Sequence, residues 1–169
     1  DRAFFDLERR EMWQRCWLYA AHVDQLPEPG SFIVWHHGSA PILIIRGDDG
    51  EIRAFYNTCR HRGAPVARSD SGRAGAALVC GYHGWSYDRQ GGLRAVSEQR
   101  DWQDIDPSCR GLVGVRCERY GNWIFVCEDL QAEPLQDFLA PISRYLNHLP
   151  LETLRLVDRR EFTLQSNVK

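Results

Sequence analysis

Two short pairs of metal-binding side chains, Cys59-Arg60-His61 and Cys80-Gly81-Tyr82-His83, lie eighteen residues apart and constrain this chain more than any other feature. Four soft or borderline ligands arriving in two tight pairs point to a metal. In each pair the spacing lets two side chains leave one loop toward a common point. The neighbouring glycines, Gly63, Gly81 and Gly84, let backbone N–H groups approach a sulfur, and Pro65 stiffens the first loop.

The order of the ligands separates two kinds of metal site. Structural zinc is the alternative, because two Cys and two His also suit a tetrahedral zinc. Zinc fingers usually group Cys with Cys and His with His. Two Cys-then-His pairs on two loops instead suit a two-iron, two-sulfur cluster in which one iron takes both thiolates and the other both imidazoles. A thiolate nucleophile fits less well, since it needs one His and an oxyanion hole rather than two matched pairs. The other histidines read as ordinary. His36 and His37 are adjacent on a predicted strand and so point to opposite faces, while His22 and His148 have no ligand partner at chelating distance in the sequence. Cys16, Cys109, Cys117 and Cys127 read as small buried apolar residues, and Trp85 as core.

The scaffold reads as mainly β. Phe5, Met12, Trp13, Cys16 and Trp17 recur at helical steps among charged residues and predict an amphipathic helix over 3–16. Short β-rich runs follow at 32–35, 41–46, 52–56 and 77–80, punctuated by Pro27-Glu28-Pro29-Gly30 and Asp48-Asp49-Gly50. Further runs at 112–117 and 123–127 close an antiparallel domain. A two-residue turn at Gly121-Asn122 pairs residue 117 with 126, which keeps Cys117 and Cys127 one position out of register for a disulfide. A helix is predicted over 134–149 and a last strand over 153–164. The resulting division is a helical arm at 1–27, a β domain at 28–130, and the beginning of another domain at 131–169.

Composition sets the outer limits. A chain of 169 residues with 43% apolar residues and six Trp can bury one good core. Its net charge is −2, and its densest basic patch, between Arg155 and Arg160, is broken by Val157 and Asp158, which argues against nucleic acid as a partner. No apolar stretch approaches the roughly 20 residues needed to cross a bilayer, and Asp1-Arg2-Ala3-Phe4-Phe5 does not open a leader peptide. A cytoplasmic protein with no disulfides and no membrane contact is expected. The opening Asp1 and the closing Asn167-Val168-Lys169 both look like cut ends.

At these residues the chain resembles the Rieske domain of the large (alpha) subunit of aromatic-ring-hydroxylating oxygenases, the Rieske non-haem iron oxygenases. The resemblance runs from Trp13 and Trp17 through Leu26-Pro27-Glu28-Pro29-Gly30 and Phe55-Tyr56-Asn57-Thr58-Cys59-Arg60-His61-Arg62-Gly63. It continues through Cys80-Gly81-Tyr82-His83-Gly84-Trp85-Ser86-Tyr87 and Tyr120-Gly121-Asn122-Trp123-Ile124-Phe125-Val126. The loop between the pairs is slightly longer than usual, with an insertion at 69–75. The resemblance implies an antiparallel Rieske β-sandwich with two cluster-binding loops, flanked by an N-terminal helix and a C-terminal helix and strand. It further implies a 2Fe2S cluster on Cys59, His61, Cys80 and His83, fed by a ferredoxin or reductase. The electron goes on to a mononuclear Fe(II) that activates dioxygen to hydroxylate an aromatic substrate, in a trimer of alpha subunits that can carry a beta subunit. That second iron takes two His and a carboxylate, and after His83 only His148 remains in this chain. A free-standing Rieske ferredoxin is the rival reading, disfavoured by the leading helix and by residues 131–169.

The ligand set also bears on redox behaviour. Two neutral imidazoles in place of two thiolates make the oxidised site formally neutral, which raises its potential into a range of about −150 to +300 mV. Within that range three absences favour the low end. Ala64 and Tyr82 stand where a loop-tying disulfide needs cysteines, and Trp85 offers no hydroxyl to a sulfide. Tyr87 still carries a hydroxyl, and the ligand histidines are expected at a loop tip where the nitrogen not on iron can reach water or a partner.

Overall fold

The computed structural model describes residues 1–97 and 106–165, so Asn167 to Lys169 lie outside it. Among the described residues the strands are β1 (Leu18–His22), β2 (Ser31–Trp35), β3 (Ile42–Arg46), β4 (Ile52–Tyr56), β5 (Ser71–Arg73), β6 (Leu78–Val79), β7 (Ser86–Tyr87), β8 (Leu93–Ala95), β9 (Gly114–Tyr120) and β10 (Trp123–Cys127). They form a seven-stranded sheet in the order β1-β10-β9-β4-β3-β2-β5 and a three-stranded sheet in the order β6-β7-β8. All pairings are antiparallel.

Strands β2 and β3 are almost wholly apolar because both of their faces are covered. Alternation sends Phe32, Val34, Leu43 and Ile45 into one core and Ile33, Trp35, Ile42 and Ile44 into another. The first core lies against the small sheet and contains Leu78, Trp85 and Tyr87 together with Cys59 and Cys80. The second is shared with Ala20 and Ala21 of β1 and Ile124 and Val126 of β10, so the large sheet curls until its far strands pack on its middle ones. A third, smaller cluster of Trp17, Cys127, Leu135 and Leu139 fastens both ends of the chain to β10. There the Trp17 indole N–H donates to the Glu133 carbonyl at 2.8 Å.

The β9–β10 hairpin has the predicted register: Tyr120 faces Trp123 across Gly121-Asn122, and Cys117 faces Val126 while Cys127 faces Arg116. Gly121 takes a φ of 58°, the left-handed backbone a two-residue turn demands. The predicted insertion at 69–75 contains β5, which pairs with β2 and becomes the sheet's edge.

Several expectations need correction. The first helix is α1 (Arg2–Glu8) running into a π-helical turn, Arg9–Trp13, and its apolar side chains Phe4, Phe5, Leu7, Met12 and Trp13 are exposed. The helix predicted over 134–149 is two short ones, α2 (Leu135–Phe138) and α3 (Ala140–Leu146), because Pro141 enters at the first turn of α3. The strand predicted over 153–164 does not form. That segment is instead tied down by side chains at its start: the Asn122 amide donates to the carbonyls of Glu152 and Leu154, and Asp24 accepts from the Leu156 N–H and the Arg155 guanidinium. His36 and His37 lie beyond the end of β2, where His36 Nε2 bonds Asp70 at 2.8 Å and His37 packs edge-on to Trp35.

Of the remaining cysteines, Cys127 is buried and Cys16 and Cys117 are half-buried, but Cys109 is exposed in a 3-10 turn beside Asp106. His22 is buried and satisfied, its Nδ1 accepting from the Asp24 N–H. No helix among the described residues is long and apolar enough to cross a membrane.

Candidate metal centre

The two ligand loops are built alike. In the first, between β4 and β5, the Cys59 N–H donates to the Ala64 carbonyl at 2.8 Å and the Gly63 N–H donates to the Cys59 carbonyl at 2.9 Å. In the second, between β6 and β7, the Cys80 N–H donates to the Trp85 carbonyl at 2.8 Å and the Gly84 N–H to the Cys80 carbonyl at 3.0 Å. Each loop is thus one tight turn closed across its own Cys. Gly63 and Gly84 occupy equivalent corners, with φ of 75° and 70°, a conformation that a side chain with a Cβ adopts only under strain.

Loop closure places the ligands in two like pairs. Cys59 and Cys80 are both buried in the same core cluster, close enough that Cys80 raises the cost of a negative charge on Cys59. The His61 and His83 rings sit beside them with centroids 4.7 Å apart. Among the described residues no three His, Cys, Asp or Glu side chains are placed to hold one ion in common. The His83 Nδ1 is buried with no hydrogen-bond partner, the state of a nitrogen turned inward toward something that must complete it. Both histidines are half-buried, at tips whose neighbours Arg60, Arg62, Gly63, Gly81, Tyr82 and Gly84 are exposed.

Electrostatics follow from that burial. Desolvation pushes the Cys59 thiol above its ordinary value, while the Tyr87 hydroxyl and the His61 backbone N–H pull the other way by bonding its sulfur. Burial likewise lowers the His61 imidazole, reinforced by His83 and Arg62. Anionic sulfur is costly here without a cation, and a protonated imidazole is disfavoured too; neutral imidazoles and metal-bound thiolates suit the site.

Three residues outside the ligand set shape it. Asn57, buried at the base of the first loop, accepts from the N–H groups of Val66 (3.0 Å) and Ala67 (2.8 Å) and donates to the Ala67 carbonyl at 2.8 Å, closing that loop where no strand ladder reaches. Tyr87 receives the Arg60 N–H on its hydroxyl oxygen at 2.9 Å, which leaves its own proton to point at the Cys59 sulfur, 3.2 Å away. Trp85 stacks on the His61 ring with centroids 5.0 Å apart and planes 7° from parallel. The Tyr87 hydroxyl was the one sequence signal for these contacts. Asn57 stands in the quoted motif without a role, although a buried Asn just ahead of a ligand loop is a typical turn closer.

Residues 16–108 match the model of the Rieske [2Fe-2S] domain. The chain belongs to that family. Its 2,4-dinitrotoluene dioxygenase relative, the large oxygenase component from Burkholderia sp. strain RASC, is 36% identical over 149 residues, which are 86% of this chain and 33% of that protein. A glycine betaine monooxygenase oxygenase subunit from Chromohalobacter salexigens is 32% identical over 169 residues, covering 100% of this chain and 38% of that protein. Naphthalene 1,2-dioxygenase with indole in its active site superposes with a TM-score of 0.81 at 35% identity, over 87% of this chain and 33% of that one. The chain therefore spans between a third and two fifths of the length of these relatives, and the part it shares with them includes the Rieske domain. A Rieske domain of this family carries a 2Fe2S cluster.

For the Rieske domain the Asn57 brace is testable directly. Asn57→Ala leaves two N–H groups and one carbonyl without partners, at roughly 1–3 kcal/mol for each group that stays buried. We expect a loss of at least about 2 kcal/mol in denaturant unfolding and faster bleaching of the iron–sulfur absorbance, with Asn57→Asp intermediate because it keeps the acceptor.

Proposed function

We propose that Cys59 and Cys80 hold one iron of the cluster and His61 and His83 the other. The observation that carries this reading is the pairing of like with like, thiol beside thiol and imidazole beside imidazole, with His83 Nδ1 turned inward and unsatisfied. The softer thiolates gather on the iron that stays ferric, and the imidazoles on the iron that accepts the electron. When bound, the cluster supplies reversible one-electron chemistry. The protein's part is to hold the four ligands, keep water from the sulfur side by burying both cysteines, and donate the Tyr87 and His61 hydrogens to Cys59.

In a parent oxygenase the domain would receive electrons from a ferredoxin or reductase and pass them to a mononuclear Fe(II) bound by two His and a carboxylate. The assembly we propose is a cytoplasmic trimer of alpha subunits, with or without a beta subunit. Hydroxylation of an aromatic ring is the reading supported by the dinitrotoluene and naphthalene relatives. Oxidation of a quaternary ammonium substrate is a second reading, supported by the betaine subunit that aligns along this whole chain. Supplying the parent enzyme with each substrate class and following product by mass spectrometry separates the two.

Three outcomes test the reading of this domain. Purified protein should contain two iron and two acid-labile sulfide per chain, and alanine at any of the four ligands should abolish both; zinc without sulfide would end the proposal. Reductant, iron and aromatic substrate added to residues 1–169 should give no hydroxylated product, because no second His pair follows His83 to build the mononuclear site. The potential should lie near about −150 mV, and Tyr87→Phe should lower it further by about 30–60 mV in protein-film voltammetry. That estimate takes half of a roughly 1.5–3 kcal/mol charged hydrogen bond as favouring the reduced, more negative cluster.

A further inference from the structure

Trp85 belongs to the second loop, His61 to the first. The Trp85 carbonyl closes its own loop by accepting the Cys80 N–H, and its indole is buried in the core with Phe55, Leu78 and Tyr87. Its backbone is thus fixed by its own loop, and its ring by a core that both loops share. The indole face nonetheless lies nearly parallel to the His61 imidazole at a centroid distance of 5.0 Å, within the range at which an aromatic face attracts positive charge. His83 meets His61 at a steep 61° on centroids 4.7 Å apart, so the indole is the flat support under His61.

An imidazole bound to iron carries part of the metal's positive charge. It carries more when that iron is ferric than when one electron from the donor has made it ferrous. A ring face with negative quadrupole beneath it stabilises the more positive state. The geometry points to Trp85 as a positioning residue that holds the His61 ring in its plane and, through the face of its indole, favours the oxidised form of the imidazole-bound iron. This rests on the ligand assignment proposed above. It goes beyond the absence of a hydroxyl at position 85, because it assigns the indole a direct action of its own on the potential.

Ordinary core packing predicts the same burial but not the same response to ring electronics. The decisive experiment places mono-, di- and tetrafluorinated tryptophan at position 85 of the cluster-loaded protein. Fluorine withdraws charge from the ring face while leaving shape and burial nearly unchanged. The reduction potential measured by protein-film voltammetry should rise stepwise with each fluorine, and the hyperfine coupling of one of the two ligand nitrogens should change while the other stays fixed. Trp85→Phe, which keeps a smaller face, should also shift the potential upward. A flat potential across the fluorinated series, with the cluster intact and two ligand nitrogens seen, overturns the role of Trp85 and leaves the ligand assignment standing. Wild-type protein that shows no two-nitrogen iron–sulfur signal overturns both.

Discussion

Two thiols buried side by side in an apolar core can lose their protons only if a cation takes their place, and that requirement organises this molecule. Cys59 and Cys80 belong to the same core as Phe32, Val34, Phe55 and Leu78, so the sulfur side of the site is also the middle of the domain. Burial raises the Cys59 thiol and the few hydrogen bonds to its sulfur only partly offset this. In the reading proposed above, metal binding and folding are coupled: packing holds the four side chains close, and the cluster would complete that packing.

The two sheets divide the labour around that requirement. The large sheet is stiff because β2 and β3 are apolar on both faces and covered on both, which gives the first loop a firm root at the end of β4. The small sheet carries the second loop and supplies nearly all of its neighbour's support: the Tyr87 hydroxyl bonds both the Cys59 sulfur and the Arg60 N–H, and the Trp85 indole lies under His61. The first loop in turn closes itself through Asn57. The site is therefore assembled by contacts between loops, with little help from the long strands beyond their placement.

Much of this was legible in the residues. The two Cys-His pairs at matching loop tips, the β runs of the core and the register of the β9–β10 hairpin follow from spacing, alternation and a Gly-Asn turn, all of which are local rules. Most of what escaped depended on distant partners. The run at 153–164 has strand-like composition, but Asp24 and Asn122 take up its backbone groups before a ladder can form. The single helix over 134–149 ignored Pro141, and Cys109 was assigned to a core that does not reach it. Asn57 and the stack on His61 act across loops, and no periodicity announces such contacts.

The likeness of the two loops has a bearing on transplantation. Each turn is closed by two hydrogen bonds spanning at most six residues, from Cys59 to Ala64 and from Cys80 to Trp85, so its own closure is local even though its placement depends on the sheets. A host scaffold would have to provide only two hairpin ends facing each other at the right separation, together with a buried amide at the root of one and a tyrosine and an indole behind the other. The arrangement is in that sense modular: four candidate ligands sit on two short peptides, braced by three side chains.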